Sequence, residues 1–508
     1  MVIWDAFLLV MQPNVLLIML GFGLFGLFVG AIPGFTASMA VALLIPVTYF
    51  FDPVPALAGI MSLSAVAIFA GDIPGALLRI PGTPASAAYV DDAYKMSNNG
   101  QSDIALGVGL LSSAIGGIFG AIILLLIAPE LAKIALKFST FEYFWLSMIG
   151  LTAAMAVSPA SLSKAAISLL IGLTLSMVGL DPVSGLIRFN FEQPELVAGF
   201  SFIPVLIGFF AVSEVIRYAV DRGANPDTLK PDEHSSSDRM KETLINLKRF
   251  KWSIARGSLV GTIIGAIPGA GADIAAYISY ALARYLSKYK QYFGKGYPEG
   301  IASGSAANNS SIGGALVPAT VFGIPGDSLT AIIIGVLFMK GLNPGPMVFI
   351  LKADLINAVF LSFLIANIAI IPLGYLAIRF FKYILQIPKA VLMPLVLSAC
   401  IVGSFSVDNT TFAVTTMLFA GILGFLMEEN GFPLAPSILG LVLGPMVESN
   451  FLTSLLKSNG SFIAFFERPL SMGLALVTIL IWVIAVSYSI ISQKKSNHKG
   501  KSNSDDSK

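Results

Sequence analysis

Residues 26–34 read Gly-Leu-Phe-Val-Gly-Ala-Ile-Pro-Gly, and residues 261–269 read Gly-Thr-Ile-Ile-Gly-Ala-Ile-Pro-Gly. Three further pairs follow in the same order. Gly75-Ala-Leu-Leu78 precedes Ile80-Pro-Gly82 as Gly314-Ala-Leu-Val317 precedes Ile324-Pro-Gly326, and Pro204-Val-Leu-Ile-Gly208 is echoed by Pro436-Ser-Ile-Leu-Gly440. The offsets are 235, 239, 244 and 232 residues. One match is expected by chance in a chain with 48 glycines, but four in order mark a duplication.

The stretches around these motifs are apolar. Of 508 residues, 56% are hydrophobic and 12% charged, against roughly 45–50% and about 25% in soluble domains. A soluble core cannot hide that excess, so it faces lipid. Apolar runs follow one another nearly end to end, several shorter than a full span and interrupted by Pro-Gly. This predicts an all-α polytopic membrane protein with about 11–14 membrane segments, some of them half-helices. No Lys or Arg precedes Arg79, so the first apolar run reads as part of the mature protein rather than a signal peptide.

The expected organisation is a first membrane repeat over 1–220 and a cytoplasmic linker over 221–251. A second repeat covers 252–468, a final transmembrane helix 469–492 and a disordered cytoplasmic tail 493–508. The linker holds seven Lys/Arg against six Asp/Glu, and 284–299 adds Arg284, Lys288, Lys290 and Lys295, whereas the matching first-half runs have no basic flank. That bias predicts that the two repeats are inverted in the membrane.

Each Pro-Gly pair ends one helix and allows a sharp turn into the next. Backbone donors freed at such breaks cannot face lipid and must face protein or a water-filled cavity. A helix start suits a carboxylate. Candidate solute-binding residues are therefore Pro33, Gly34, Pro81, Gly82, Thr83, Ser86, Pro268, Gly269, Pro325, Gly326 and Ser328. Asn308, Asn309, Ser310 and Ser311 add amides and hydroxyls able to coordinate Na⁺ or bind a carboxylate. The plainer alternative is that the prolines kink packed helices and the small polar residues pack them. Asp72, Asp273 and Asp327 stand beside Pro-Gly turns and are candidates for a coupling cation. Arg79, seven residues from Asp72, is a possible partner for it if the chain folds back.

Enzyme and pump chemistry find little support. The two histidines, His234 and His498, lie in polar segments, and Cys400 is the sole cysteine. There is no His-Glu-x-x-His, and no P-loop for ATP. A net charge of +2 offers no basic patch for nucleic acid. No cofactor is expected beyond Na⁺ as a candidate coupling ion.

The motifs resemble those of one family, the large membrane subunit (TctA type) of tripartite tricarboxylate transporters. The resemblance lies in Gly26-x-x-x-Gly30-Ala-Ile-Pro-Gly34, Ile80-Pro-Gly-Thr-Pro-Ala-Ser86 and Val178-Gly-Leu-Asp-Pro182. It continues in Gly261 to Gly271, Gly294-Lys-Gly296, Ala306-Ala-Asn-Asn309, Gly323-Ile-Pro-Gly326, Gly341-Leu-Asn-Pro-Gly-Pro346, Gly431-Phe-Pro-Leu-Ala-Pro436 and Leu439 to Pro445. It implies a multi-pass cell-membrane symporter that imports a small carboxylate with Na⁺ or H⁺. It also implies two partners, a small membrane subunit and an extracytoplasmic solute-binding protein. Asp72, Arg79, Asp273 and Asp327 depart from the family pattern, as does Ser305, where glutamate is usual. The alternative is the membrane component of another transport system, or a passive channel for a different small solute.

Overall fold

The computed structural model describes residues 2–32, 35–158, 161–181, 183–220, 237–384 and 389–505. The chain is an all-α polytopic membrane protein with one two-stranded ribbon, β1 (Gly179–Leu180) antiparallel to β2 (Ile187–Arg188). Its first part forms α1 (Val2–Val10), α2 (Pro13–Gly30), α3 (Ala37–Thr48), α4 (Pro53–Ala70), α5 (Asp72–Leu78), α6 (Val90–Asn98) and α7 (Ser102–Ala135). Next come α8 (Thr140–Val157), α9 (Leu162–Ser176), α10 (Phe202–Ile207), α11 (Ser213–Val220) and α12 (Ser237–Arg249). The second part forms α13 (Lys251–Gly265), α14 (Gly271–Leu286), α15 (Pro298–Phe322), α16 (Ser328–Met339), α17 (Val348–Leu351) and α18 (Ala353–Ile384). The last helices are α19 (Lys389–Asp408), α20 (Thr411–Glu429), α21 (Leu434–Lys457), α22 (Ala464–Glu467) and α23 (Pro469–Asp505).

Among the described residues, eight helices are long and apolar enough to cross a bilayer, accompanied by four shorter apolar ones. Two of the short ones, α3 and α16, begin directly after Pro-Gly turns and fall well below the ~20 residues of a full span. Most of the 221–251 linker before α12 lies outside the described residues. Helix α23 continues to Asp505.

The chain packs as two compact units, each drawn from both sequence halves: Met1–Leu136 with Ser201–Phe425, and Lys137–Phe200 with Leu426–Lys508. The first is built around α4 and α15, whose residues are buried on every side from Val54 to Ala70 and from Glu299 to Phe322. A helix surrounded in this way needs no polar face, and α4 has almost none. Both helices start on a proline at their first turn, Pro53 and Pro298, where the missing N–H costs nothing.

The motif that opened the sequence explains how the neighbours approach. Gly26 and Gly30 bring α2 onto α4: a Cβ at Gly30 would lie 2.6 Å from the Ala67 carbonyl oxygen. Gly261 and Gly265 bring α13 onto α15, against the carbonyls of Ala307 and Ser311. The Gly-x-x-x-Gly spacing is thus a close-packing stripe, used once in each half. Further contacts cross between halves, since α4 packs on α18 and α7 packs on α15.

The second unit packs α8, α9, α21 and α23. Ser437 Oγ donates to the Ser168 carbonyl at 2.6 Å, where Gly172 lets α21 approach α9. Glu142 caps α8 from within and accepts from Arg468 at 3.1 Å, and Arg188 grips Glu448 with both guanidinium nitrogens, which fastens the ribbon to α21. Helix α23 exposes Leu476, Leu480, Val483 and Ile484, as a lipid-facing helix does.

Candidate functional site

The turns at Ile80-Pro-Gly82 and Ile324-Pro-Gly326 are built alike, bond for bond. In each, the preceding helix ends on a left-handed residue, Arg79 (φ 59°) or Gly323 (φ 72°). The Arg79 and Ile80 N–H groups return to the Gly75 and Pro74 carbonyls, and those of Gly323 and Ile324 to Ala319 and Pro318. These bonds satisfy carbonyls at the helix end that would otherwise be orphaned. After each turn comes a reciprocal box. Ser86 N–H donates to Thr83 Oγ1 at 3.2 Å and Thr83 N–H to Ser86 Oγ at 3.3 Å. Thr330 N–H donates to Asp327 Oδ1 at 2.8 Å and Asp327 N–H to Thr330 Oγ1 at 3.0 Å, which caps α16.

Three Pro-Gly tips and the start of α3 converge. The Gly269 N–H donates to the Gly326 carbonyl at 2.7 Å, so the third Pro-Gly turn docks on the fourth. Ser38 Oγ at the start of α3 lies 3.1 Å from Ser328 Oγ. The Asp273 carboxylate lies near the Ala85 N–H, and that of Asp327 near the Ala272 N–H. Gly271 holds φ 57° with its Cα against the Asp327 side chain, where a Cβ would come within 2.8 Å of the aspartate Cβ. Asp273 is exposed and Asp327 half-buried at the recess between these tips, with the two carboxylates within Coulombic reach.

Asp72 sits behind this recess, 8% exposed, where α4 breaks into α5. Tyr89 donates to Asp72 Oδ1 at 2.8 Å and Ser305 to Oδ2 at 3.5 Å, while Asn308 Nδ2 donates to the Tyr89 hydroxyl at 3.3 Å. A cavity of about 10 Å³ adjoins them, lined in part by Ser86, Gly109 and Ile301, with room for about one water. Segment 83–89 therefore links the recess to Asp72 through Ser86 and Tyr89. Among the described residues no three His, Cys, Asp or Glu side chains converge as a metal site.

The candidates named from sequence divide accordingly. Pro81, Gly82, Thr83, Ser86, Pro268, Gly269, Pro325, Gly326, Ser328, Asp273 and Asp327 lie at the converging tips, and Pro33 and Gly34 fall outside the described residues. Arg79 does not pair with Asp72. It points to the surface and binds Asp91 at 2.7 Å, because the left-handed turn swings its side chain away from the buried carboxylate. Of Asn308–Ser311 only Asn308 reaches the Asp72 cluster. Asn309 donates to Asn367 Oδ1 and the Ser113 carbonyl, while Ser310 and Ser311 bond carbonyls within α15. Consecutive helical residues point about 100° apart, so four in a row cannot share one site. Tyr89 was not foreseen, having no motif. Ser38 was foreseeable, since the offset of 235 places it opposite Asp273.

Further clasps join the halves outside the tips. Asp92 accepts from the Gly296 and Tyr297 N–H groups at 2.8 and 3.0 Å and from the Tyr280 hydroxyl at 2.8 Å. Lys340 donates to the Tyr49 and Phe51 carbonyls at 3.1 and 2.7 Å.

The model of the tripartite tricarboxylate transporter TctA family matches residues 15–439. An uncharacterized 52.8 kDa protein in the TAR-I ttuC' 3' region of Agrobacterium vitis is 32% identical over 474 residues, covering 93% of each chain. An uncharacterized protein in the TAR-II ttuC' 3' region of the same organism is 30% identical over 188 residues, 37% of this chain and 78% of that protein. No solved structure matches. A chain with eight candidate spans among its described residues, matched over most of its length, is a multi-pass cell-membrane transporter subunit and not an enzyme, and it belongs to the tripartite tricarboxylate transporter TctA family.

Proposed function

We propose that this chain is the permease of a symporter that imports a small carboxylate with Na⁺ or H⁺. It would receive its solute from an extracytoplasmic binding protein and work beside a small membrane subunit. The observation that carries this reading is the pair Asp273 and Asp327, within Coulombic reach of each other where Pro-Gly tips of both halves converge. Two carboxylates there repel an anionic solute, by roughly 4 kcal/mol per charge pair at 4 Å in a protein-like dielectric. A bound cation reverses that sign. Solute and cation then raise each other's affinity by the same factor, which is the thermodynamic content of coupling. Asp72, buried behind the recess and linked to it through Ser86 and Tyr89, is a second station for the cation.

A two-fold repeat architecture is supported by contacts that exchange when the halves are exchanged, and the basic flanks present only in the second half favour its inverted form. Ser38 of the first half meets Ser328 of the second, as Asp273 of the second meets Ala85 of the first. Helices α4 with α18, and α15 with α7, follow the same rule. Such an arrangement suits alternating access about a fixed midplane site.

The test is reconstituted uptake of a radiolabelled carboxylate panel, with and without an inward Na⁺ or H⁺ gradient and a purified binding protein. Uptake that needs both is expected. Carboxylate uptake that runs equally well without any gradient would make the chain a channel. No carboxylate uptake under any gradient would reassign the solute class, with the two acids as the reason.

A further inference from the structure

Away from the recess, a cavity of about 410 Å³ opens between the first turns of α7, the last turns of α18 and helix α12. Its walls are apolar, chiefly Leu110, Leu111, Leu244, Ile371 and Ile378, and its polar end carries Asp103, Thr243, Tyr375 and Arg379. Two close approaches bound it: Gly107 makes room for Thr243, and Gly374 for Leu110. Ile371 and Tyr375 are also exposed on the outer face of α18, so the cavity continues onto a surface that lies against lipid in a multi-pass protein. Its level is that of the bilayer interface, because α7 begins and α18 approaches its end there, and α12 is amphipathic and polar on average.

The charge at the polar end is positive. Asp103 is already engaged within the protein, whereas Arg379 is exposed and makes no ion pair or hydrogen bond among the described residues. Helix α12, which supplies one wall, carries four Lys/Arg against two acids. A transported carboxylate would find one cation here beside the Asp103 carboxylate and a wall that is otherwise chiefly apolar. An acyl chain finds an apolar wall, with a guanidinium at the height of its headgroup. We infer that this cavity is a phospholipid site, holding one acyl chain between α7, α12 and α18 with an anionic phosphate headgroup on Arg379.

The experiment uses the full chain purified in mild detergent and incubated with palmitoyl-oleoyl phosphatidylglycerol or phosphatidylcholine, with retained lipid read by native mass spectrometry. The wild type is expected to keep one phosphatidylglycerol. Leu111→Trp, which fills the cavity, is expected to lose it, while the volume-conserving Leu111→Met keeps it. Arg379→Gln is expected to cut the preference for phosphatidylglycerol over phosphatidylcholine by about five-fold, the effect of one cation near the headgroup plane. Thermal unfolding of each variant shows whether it is folded. Equal retention by wild type and a folded Leu111→Trp overturns the inference. So does displacement of the lipid by a co-expressed small membrane subunit that cross-links to Leu244→Cys, since the cavity would then belong to a protein partner.

Discussion

The turns at 80–86 and 324–330 share one backbone and carry different chemistry. Both end a helix on a left-handed residue, pass through Ile-Pro-Gly and close with a reciprocal box. The first half places Arg79 where the second has Gly323, and Thr83 where the second has Asp327. At the tip of the neighbouring short helix it places Ser38 where the second has Asp273. The recess is thus hydroxyl-lined from one half and acid-lined from the other, and the first half's own acid, Asp72, is withdrawn behind it. Duplication supplied two equal scaffolds, and divergence of a few side chains made one of them the charged side of the site.

The largest expected effect concerns the scaffold. Gly265→Leu drives a side chain into the Ser311 carbonyl of buried α15, and backbone cannot yield as a flexible side chain can. It should cost ~3 kcal/mol or more and abolish membrane yield. Gly30→Leu, at the matching position on α2, should do the same against Ala67. Gly21→Leu is the control, since a Cβ there meets nothing within 4 Å. Thermal unfolding in micelles ranks the three, and similar melting of Gly265→Leu and Gly21→Leu would show that the stripe does not hold the helices together.

Of that stripe, only the repetition was legible in sequence. Gly26, Gly30, Gly261 and Gly265 stood out as a motif used twice, while their part in bringing helices together shows only in the structure. Asp72, Asp273 and Asp327 stood out because charge is rare and costly between apolar runs. The partnership of Asp72 with Tyr89 was not legible: seventeen residues and two helix breaks separate them, and no spacing rule spans a break. The Asn308–Ser311 run misled by composition, for burial of α15 on every side turns three of its four side chains to packing. Ser38 was hidden in plain view, because a serine attracts notice only when the repeat register sets it opposite Asp273.

The middle effect tests the acid itself. Asp327→Thr installs the first half's residue, which keeps an N-cap oxygen for the Thr330 N–H, so stability should change by no more than ~0.5 kcal/mol. Asp327→Ala loses the cap as well and should cost about 1 kcal/mol. If the charge matters to coupling, both variants lose gradient-dependent uptake to the same degree despite their different stabilities. Uptake by Asp327→Thr that stays as gradient-dependent as the wild type would refute the cation role of this residue and reduce Asp327 to a cap.

The smallest effect lies at the left-handed position. A non-glycine residue there costs about 1 kcal/mol, and Arg79 bears that cost at φ 59°. Its compensation is the Asp91 pair, but with side chains 59% and 50% exposed such a pair is worth only ~0–1 kcal/mol. Arg79→Gly in the wild type should therefore be close to neutral. In an Asp91→Asn background, where there is no pair to lose, the same change should stabilise by about 1 kcal/mol. The mirror experiment, Gly323→Ala, should destabilise by a similar amount, because φ 72° strains any Cβ and that residue is buried. A double-mutant cycle on thermal unfolding separates strain from charge. If Arg79→Gly gains nothing once Asp91 is neutral, the left-handed turn is not what distinguishes the two scaffolds, and the difference between the halves reduces to the residues that line the recess.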